Sequence, residues 1–229
     1  MNTHSREKFQ TIESFRKEYG VHICTDHTGK MTGFASLSTS PICNQFCMAR
    51  SKCKGTICAK CYSMRMQKMY SALDAALRKN HEVLTSRLIP VEKMPVLNYL
   101  MFRLESFGDV SNEVQLANYF NLCRRNPRVQ FSIWTKNMAV FKKLLTWGLG
   151  NHHEFKKPKN LIIIVSSPYV NRRVDLADYP FADKVFTVYD PDYAKKHGVE
   201  INCGTRSCAV CQSCYNRASK VKYISELLK

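Results

Sequence analysis

The feature that most constrains the fold is a regular alternation of short apolar runs and amphipathic segments in the second half of the chain. The run NLIIIVSS has no polar residue at its centre, which is typical of a strand buried on both faces of a parallel sheet. A strand–helix–strand unit of about thirty residues, repeated in this way, predicts an α/β fold with parallel strands and right-handed crossovers. The apolar runs that predict strands are VLNYLMFRL (96–104), VQFSIW (129–134), NLIIIVSS (160–167) and DKVFTVYD (183–190).

The other elements follow from the same patterns. A first strand is predicted at 31–38, and residues 62–88, which contain no Gly or Pro, predict one long helix. No low-complexity linker divides the chain into two large domains. We therefore expect an N-terminal helical segment (1–30), one α/β domain (31–202) and a C-terminal segment that ends in a helix (203–229). The remaining predicted helices are 5–18, 111–126 with Ser111 or Asn112 as its cap, 138–148 with Gly148 as its stop, 192–198 and 215–228.

The cysteine content indicates metal or redox chemistry. The N-terminus lacks the apolar core of a secretory signal, and no apolar run is long enough to cross a bilayer. These features predict a soluble, cytoplasmic protein without a membrane partner, where thiols stay reduced. Of the eleven cysteines, nine fall in two groups, at 43–61 and 203–214. Cys24 and Cys123 stand alone, and we expect both to be small core residues.

The chain is strongly basic, with 35 Lys and Arg against 18 Asp and Glu, which gives a net charge of +17. Such an excess favours a polyanionic partner, most often nucleic acid. A basic surface that only keeps the protein soluble explains the same number. The charge alone leaves both interpretations open.

The second cysteine group contains four thiols within twelve residues, CGTRSCAVCQSC. Four thiolates satisfy one Zn²⁺ ion or the four irons of a cubane cluster. Zinc ribbons usually have a longer loop between two CxxC pairs, whereas this compact spacing resembles ferredoxin-type ligation. The spacing therefore favours a [4Fe–4S] cluster over Zn²⁺ at Cys203, Cys208, Cys211 and Cys214.

The first group, CNQFCMARSKCKGTICAKCY, contains five thiols, which is more than one tetrahedral site needs. Either four of them bind metal and one is spare, or three hold a [4Fe–4S] cluster and leave one iron open to a small molecule. The spacing does not identify the spare residue. Basic residues around the group, such as Arg50 and Lys60, favour thiolates and an anionic cluster, although they also suit a solvated loop. The candidate ligands are Cys43, Cys47, Cys53, Cys58 and Cys61.

Polar residues collect where each predicted strand ends. Ligands of parallel α/β folds bind at the carboxyl ends of the strands, so these segments are expected to face one mouth. Helix caps and turns explain some of them, although Glu105 directly follows an apolar strand. The predicted catalytic residues are Glu105, Asp109 and Lys136, and the predicted binding residues are Ser106, Thr135, Asn137, Ser166 and Ser167.

Four motifs between residues 30 and 215 resemble the phage-type gene product 88 family and, more distantly, the radical S-adenosylmethionine (SAM) enzymes. The motifs are CAKCY (58–62), RLESFGDV (103–110), FSIWTKN (131–137) and CxxCxxC (208–214). The resemblance implies a partial (β/α) barrel of about five or six parallel strands with cysteine-rich loops at its C-terminal mouth. It also implies a [4Fe–4S] cluster held by three cysteines, with SAM on the fourth iron, and a phage or mobile-element origin. The usual CxxxCxxC triplet is absent, because position 50 is Arg.

Three functional hypotheses follow. The first is an iron–sulfur enzyme that acts on a nucleotide or nucleic acid, with an external electron donor. Its cluster nearest the substrate is held by Cys53, Cys58 and Cys61 together with Cys47 or Cys43, and an auxiliary cluster lies at 203–214. The second is a zinc protein that binds nucleic acid without catalysis. The third is an iron–sulfur redox sensor or electron carrier, which needs clusters but no pocket. The sequence does not predict the oligomeric state.

Overall fold

The apolar runs form one six-stranded sheet in a computed structural model that describes residues 10–147, 155–204 and 206–228. The strands follow chain order from β1 to β6, and every neighbouring pair is parallel. Within these ranges β1 and β6 are the two edges, so the sheet is open, as expected for a partial barrel. The strands are β1 Ala35–Leu37, β2 Met101–Leu104, β3 Gln130–Thr135, β4 Leu161–Ser166, β5 Lys184–Tyr189 and β6 Tyr223–Leu227.

Helices lie in the connections between the strands. The cap predicted for α5 is confirmed at Asn112, whose side chain accepts a hydrogen bond from the Gln115 nitrogen at 2.9 Å. The helices are α1 Ile12–Tyr19, α2 Gln45–Ser51, α3 Tyr62–Met69, α4 Ser71–Ser86, α5 Glu113–Arg125, α6 Met138–Trp147, α7 Pro191–Lys196 and α8 Cys208–Cys211. Within the described ranges, no helix is both long and apolar enough to span a membrane.

The two faces of the sheet are covered differently. Alternate strand residues such as Phe102 and Phe131 point to an outer face, where they join a large buried core with residues of α4, α5 and α6. The residues between them point to the inner face, where Ile162, Ile164 and Ile224 form a smaller cluster. The inner cluster packs against Trp134, Phe186, Cys203, Cys214 and Val221, so the second cysteine group covers the inner face.

Three sequence predictions are wrong. The end of the chain is not a helix, because Tyr223–Leu227 pairs in parallel with Val185–Tyr189 of β5. The predicted helix at 62–88 is interrupted by Tyr70, whose backbone is extended. Cys24 is exposed, whereas Cys123 is buried as expected.

Several predicted boundaries also shift. The first helix begins at Ile12, and the part of that prediction at 5–9 lies outside the described residues. The predicted stop at Gly148 lies outside them as well. Strand β2 begins at Met101, five residues after the predicted start.

Candidate functional site

The loops after β1 to β5 are joined to one another at the carboxyl ends of the strands. The Ile57 nitrogen donates to the Pro168 carbonyl at 2.9 Å, which fastens the loop after β1 to the loop after β4. The Asn44 amide donates to the Asp109 carbonyl at 2.7 Å. The Asp190 nitrogen donates to Asn171 Oδ1 at 2.8 Å. The expected single mouth is therefore formed by these five loops.

Asp109 connects the ends of β2 and β3. Its Oδ1 accepts hydrogen bonds from Thr135 Oγ1 at 2.6 Å and from the Val110 nitrogen at 2.8 Å, and its Oδ2 accepts one from the Lys136 nitrogen at 2.8 Å. The side chain of Asn137 donates to the Val110 carbonyl at 2.8 Å. Burial raises the pKa of Asp109, against the lowering effect of Lys136 and these hydrogen bonds. Four predicted site residues thus lie in one hydrogen-bonded unit.

Glu105 is buried beneath the mouth, with only 2% of its surface exposed. Its carboxylate accepts hydrogen bonds from Thr39 Oγ1 at 2.9 Å, the Thr39 nitrogen at 3.2 Å, Gln115 Nε2 at 2.6 Å and the Tyr119 hydroxyl. Burial raises the pKa of Glu105 to about 8, although the hydrogen bonds from Tyr119 and Thr39 lower it. Because protein donors occupy both oxygens, the geometry supports a role in holding the β1 loop against α5. Its catalytic role stays a prediction.

Ser106 belongs to a chain of hydroxyl groups that sequence reasoning missed. Its Oγ lies 2.8 Å from Ser38 Oγ and 3.1 Å from Ser36 Oγ, which lies 2.7 Å from His27 Nε2. Burial, helped by Arg103, lowers the pKa of His27. These residues are far apart in sequence, and nothing in their spacing indicated the contact.

The other two predicted binding residues, Ser166 and Ser167, are buried at the end of β4. The Ser167 hydroxyl lies 2.5 Å from the Arg172 carbonyl and 3.1 Å from the Tyr169 carbonyl. The Tyr169 nitrogen also donates to this hydroxyl, at 3.3 Å. Ser167 therefore stabilises the loop after β4, whose Pro168 carbonyl accepts the hydrogen bond from Ile57.

The five thiols of the first cysteine group divide into two sets. Burial raises the pKa of Cys47, and the charges of Asp109, Glu105, Cys61 and Cys58 act in the same direction. Burial also raises the pKa of Cys58, while Lys136 lowers it. Because charges act only over a limited range, Cys47 and Cys58 lie within electrostatic reach of Cys61 and Asp109.

The remaining two thiols of the group have other neighbours. Cys43 Sγ accepts a hydrogen bond from Arg78 Nη1 on α4 at 3.3 Å. Cys53 is exposed, and its Sγ lies 3.6 Å from the carbonyl oxygen of Ala49. The tertiary structure thus gives Cys43 and Cys53 neighbours that the spacing did not indicate.

The four thiols of the second group lie together on the inner face. Burial raises the pKa of Cys203 to about 11 and that of Cys214 to about 12, and other thiols of the group contribute to both shifts. Burial acts to raise the pKa of Cys211, but hydrogen bonds to Ser213 outweigh it. Burial also raises the pKa of Cys208, and the nearby Arg103 partly offsets the rise at both Cys208 and Cys214. The Arg103 guanidinium lies 3.6 Å from the centre of the Trp134 ring.

Metal binding depends on the positions and the chemistry of these donors. In the described part of the chain, no group of three or more His, Cys, Asp or Glu side chains is placed to hold a metal ion. The donors nevertheless fit an iron–sulfur cluster in kind and in number, with three thiols at the mouth and four on the inner face. In such a cluster each thiolate binds a different iron, so the sulfur atoms need not surround a single point.

Comparison with known proteins places the chain in one family. The model of the family described as "Gene product 88" matches residues 20–224. The match covers most of the chain, which therefore belongs to the gene product 88 family. No curated protein and no solved structure matched the chain.

Proposed function

We propose that this member of the gene product 88 family is an iron–sulfur enzyme that acts on a nucleotide or nucleic-acid substrate at the mouth of its sheet. The observation that carries the proposal is that Cys58, Cys61 and Asp109 all influence the Cys47 thiol, whereas Cys43 contacts Arg78 and Cys53 contacts the Ala49 carbonyl. Three thiolates can hold a [4Fe–4S] cluster and leave one iron open. Such a cluster would supply one-electron reduction to a molecule bound at that iron, and SAM is the candidate that the radical SAM resemblance implies.

The residues around this group have distinct roles in the proposal. Asp109 fixes the backbone of Lys136 through a 2.8 Å hydrogen bond. The Lys136 ammonium lowers the pKa of Cys58, so the positive charge of Lys136 acts on a thiol of the first cysteine group. A cation in this position would bind the anionic part of a substrate. The buried side chains of Thr135 and Asn137 keep this strand end rigid.

Aromatic and basic side chains surround the mouth. Tyr62 is 57% exposed, its ring centre lies 6.0 Å from that of Phe107, and its hydroxyl donates to the Ser106 carbonyl at 2.7 Å. On the other side, the Arg172 guanidinium lies 5.5 Å from the centre of the exposed Tyr169 ring. Exposed aromatic rings next to arginines are typical of surfaces that stack bases and bind phosphates. They support a nucleotide or nucleic-acid substrate.

We propose that Cys203, Cys208, Cys211 and Cys214 hold an auxiliary [4Fe–4S] cluster. All four ligands come from one segment, and Arg103 and Lys30 place positive charge beside it. Positive charge would stabilise a cluster that is anionic once its thiolates are counted. A Zn²⁺ ion is the second candidate by ligand type, because four thiolates also complete a structural zinc site, although the described thiols do not surround one point.

Metal analysis tests the proposal. Anaerobic reconstitution, with iron, sulfide and zinc quantified, is expected to give about eight irons per chain and the broad visible absorbance of a cluster. The variants Cys47→Ser, Cys58→Ser and Cys61→Ser should each lose about four of these irons. Cys43→Ser and Cys53→Ser are matched controls and should keep the full content.

Two outcomes would contradict the proposal. A protein that takes up zinc but no iron would be the structural zinc protein of the second hypothesis. Equal iron loss in all five serine variants would show that the three-to-two division of the first group is incorrect. A SAM-cleavage assay on the reconstituted protein tests the open iron separately.

A further inference from the structure

A separate cleft of about 490 Å³ lies on the outer face of β5 and β6, on the side of the sheet opposite the second cysteine group. Tyr189 from β5 and Tyr223 from β6 form its floor, and Tyr193 and His197 from the α7 region form one wall. A volume of this size is in the range of small-molecule sites. None of the functions considered above uses this cleft.

Three rings of this cleft lie close together. Tyr189 and Tyr193 lie nearly parallel, with an interplanar angle of 19° and centres 6.3 Å apart. The His197 ring centre lies 4.2 Å from that of Tyr193, and the two rings are tilted by 31°. Tyr193 and Tyr223 are both partly exposed, so the cleft presents aromatic surface to solvent. Planar heterocycles bind such surfaces by stacking, with little dependence on their exact identity.

A cation lies at the edge of the same cleft. The guanidinium of the exposed Arg173 lies 4.4 Å from the centre of the Tyr223 ring. A guanidinium stacked on a ring keeps its N–H groups available for a planar or anionic partner, and phosphate is the anion that this geometry suits best. Glu200 also lines the cleft, and its carboxylate would accept a hydrogen bond from a sugar hydroxyl or a base amino group.

We propose that this cleft binds one nucleotide, with the base packed among the rings of Tyr193, His197 and Tyr223 and the phosphate paired with Arg173. The nucleotide is either a free mononucleotide or one unit of a single strand. The position of the cleft suits the second source, because Arg173 directly follows Arg172, whose guanidinium contacts Tyr169 at the mouth. The proposal is independent of the clusters, since no cysteine lines the cleft.

Binding measurements on the metal-free full chain test the cleft. The probes are a fluorescent single-stranded oligonucleotide of about 12 nucleotides and, in a second arm, a nucleoside monophosphate. Arg173→Gln and Tyr193→Leu should each weaken binding at least about fivefold. The controls are Arg128→Gln, which removes the same charge before β3, and Tyr179→Leu, which removes a ring outside the cleft. Each control should change affinity less than about twofold. Circular dichroism and thermal unfolding check that every variant is folded.

The source of the nucleotide follows from the two arms. Tight oligonucleotide binding with weak monophosphate binding identifies a strand, and equal affinity identifies a free nucleotide. In a photocrosslinking experiment, a strand that contains 4-thiothymidine should become attached to peptides that contain Tyr193 or Tyr223. Equal loss of binding in Arg173→Gln and Arg128→Gln, or crosslinks confined to other peptides, would overturn the proposal. So would the absence of binding in both arms.

Discussion

The backbone nitrogen of Ile57 donates a hydrogen bond of 2.9 Å to the carbonyl oxygen of Pro168. Ile57 lies in the loop after the edge strand β1, and Pro168 follows β4. The bond therefore carries the β1 loop across the ends of β2 and β3, and the bridge between Thr56 and Tyr169 strengthens the connection. This crossing holds Cys58, the next residue after Ile57, close to Lys136 and Asp109.

Removal of the Thr135 hydroxyl should destabilise the protein. Thr135→Val deletes the 2.6 Å hydrogen bond to the buried Asp109, and the expected loss is about 1–3 kcal/mol in the free energy of unfolding. Thr187→Val is the matched control, because its buried hydroxyl has no hydrogen-bond partner among the described residues. Urea denaturation should show no loss for the control. Equal losses would contradict the assigned role of Asp109.

Gly108→Ala should be more destabilising than Gly55→Ala. Both glycines have positive φ angles, 75° and 79°, so both variants lose about 1–2 kcal/mol from backbone strain. A methyl group at Gly108 would also lie 2.8 Å from the Thr39 carbonyl oxygen and 3.2 Å from Glu105 Oε2, whereas nothing lies within 4 Å at Gly55. Thermal unfolding measures the difference. A Gly108 variant no less stable than the Gly55 variant would contradict this packing.

The pKa of Glu105 predicts how stability depends on pH. It is about 8 in the folded protein, against an ordinary value of 4.5, so the folded state binds the proton more tightly. The contribution of Glu105 is fully present below pH 4.5 and is lost as the pH rises through about 8. Glu105→Gln should therefore flatten the fall in stability across this window, measured by urea denaturation at several pH values. Glu92→Gln, at an exposed position, should leave the slope unchanged.

The two isolated cysteines should behave differently. Cys123→Ser places a hydroxyl in the core and should destabilise the protein by about 1–3 kcal/mol, whereas Cys24→Ser should change its stability by less than about 0.5 kcal/mol. In the native protein, iodoacetamide should label Cys24 and leave Cys123 unmodified. Labelling of Cys123 before unfolding would be inconsistent with its burial.

The fold class and several elements were predictable from local pattern. The strands at 129–134 and 160–167 were found because their apolar side chains fill both faces of a buried parallel sheet, and Asn112 was found because a cap acts on its own helix. The final strand was missed because YNRASKVKYISELL has a helical pattern. Only the free hydrogen-bonding edge of β5 selects a strand there.

The sequence alone determined which residue types are available, namely nine clustered thiols and a polar segment after each strand. Only the tertiary structure decided which of them meet. It brought Cys47 and Cys58 within electrostatic reach of Asp109, turned Cys43 toward Arg78, and buried Glu105 among Thr39, Gln115 and Tyr119. The physical reason is that the spacing of residues along a loop does not fix the direction in which each side chain points. Direction here comes from long-range hydrogen bonds such as that between Ile57 and Pro168.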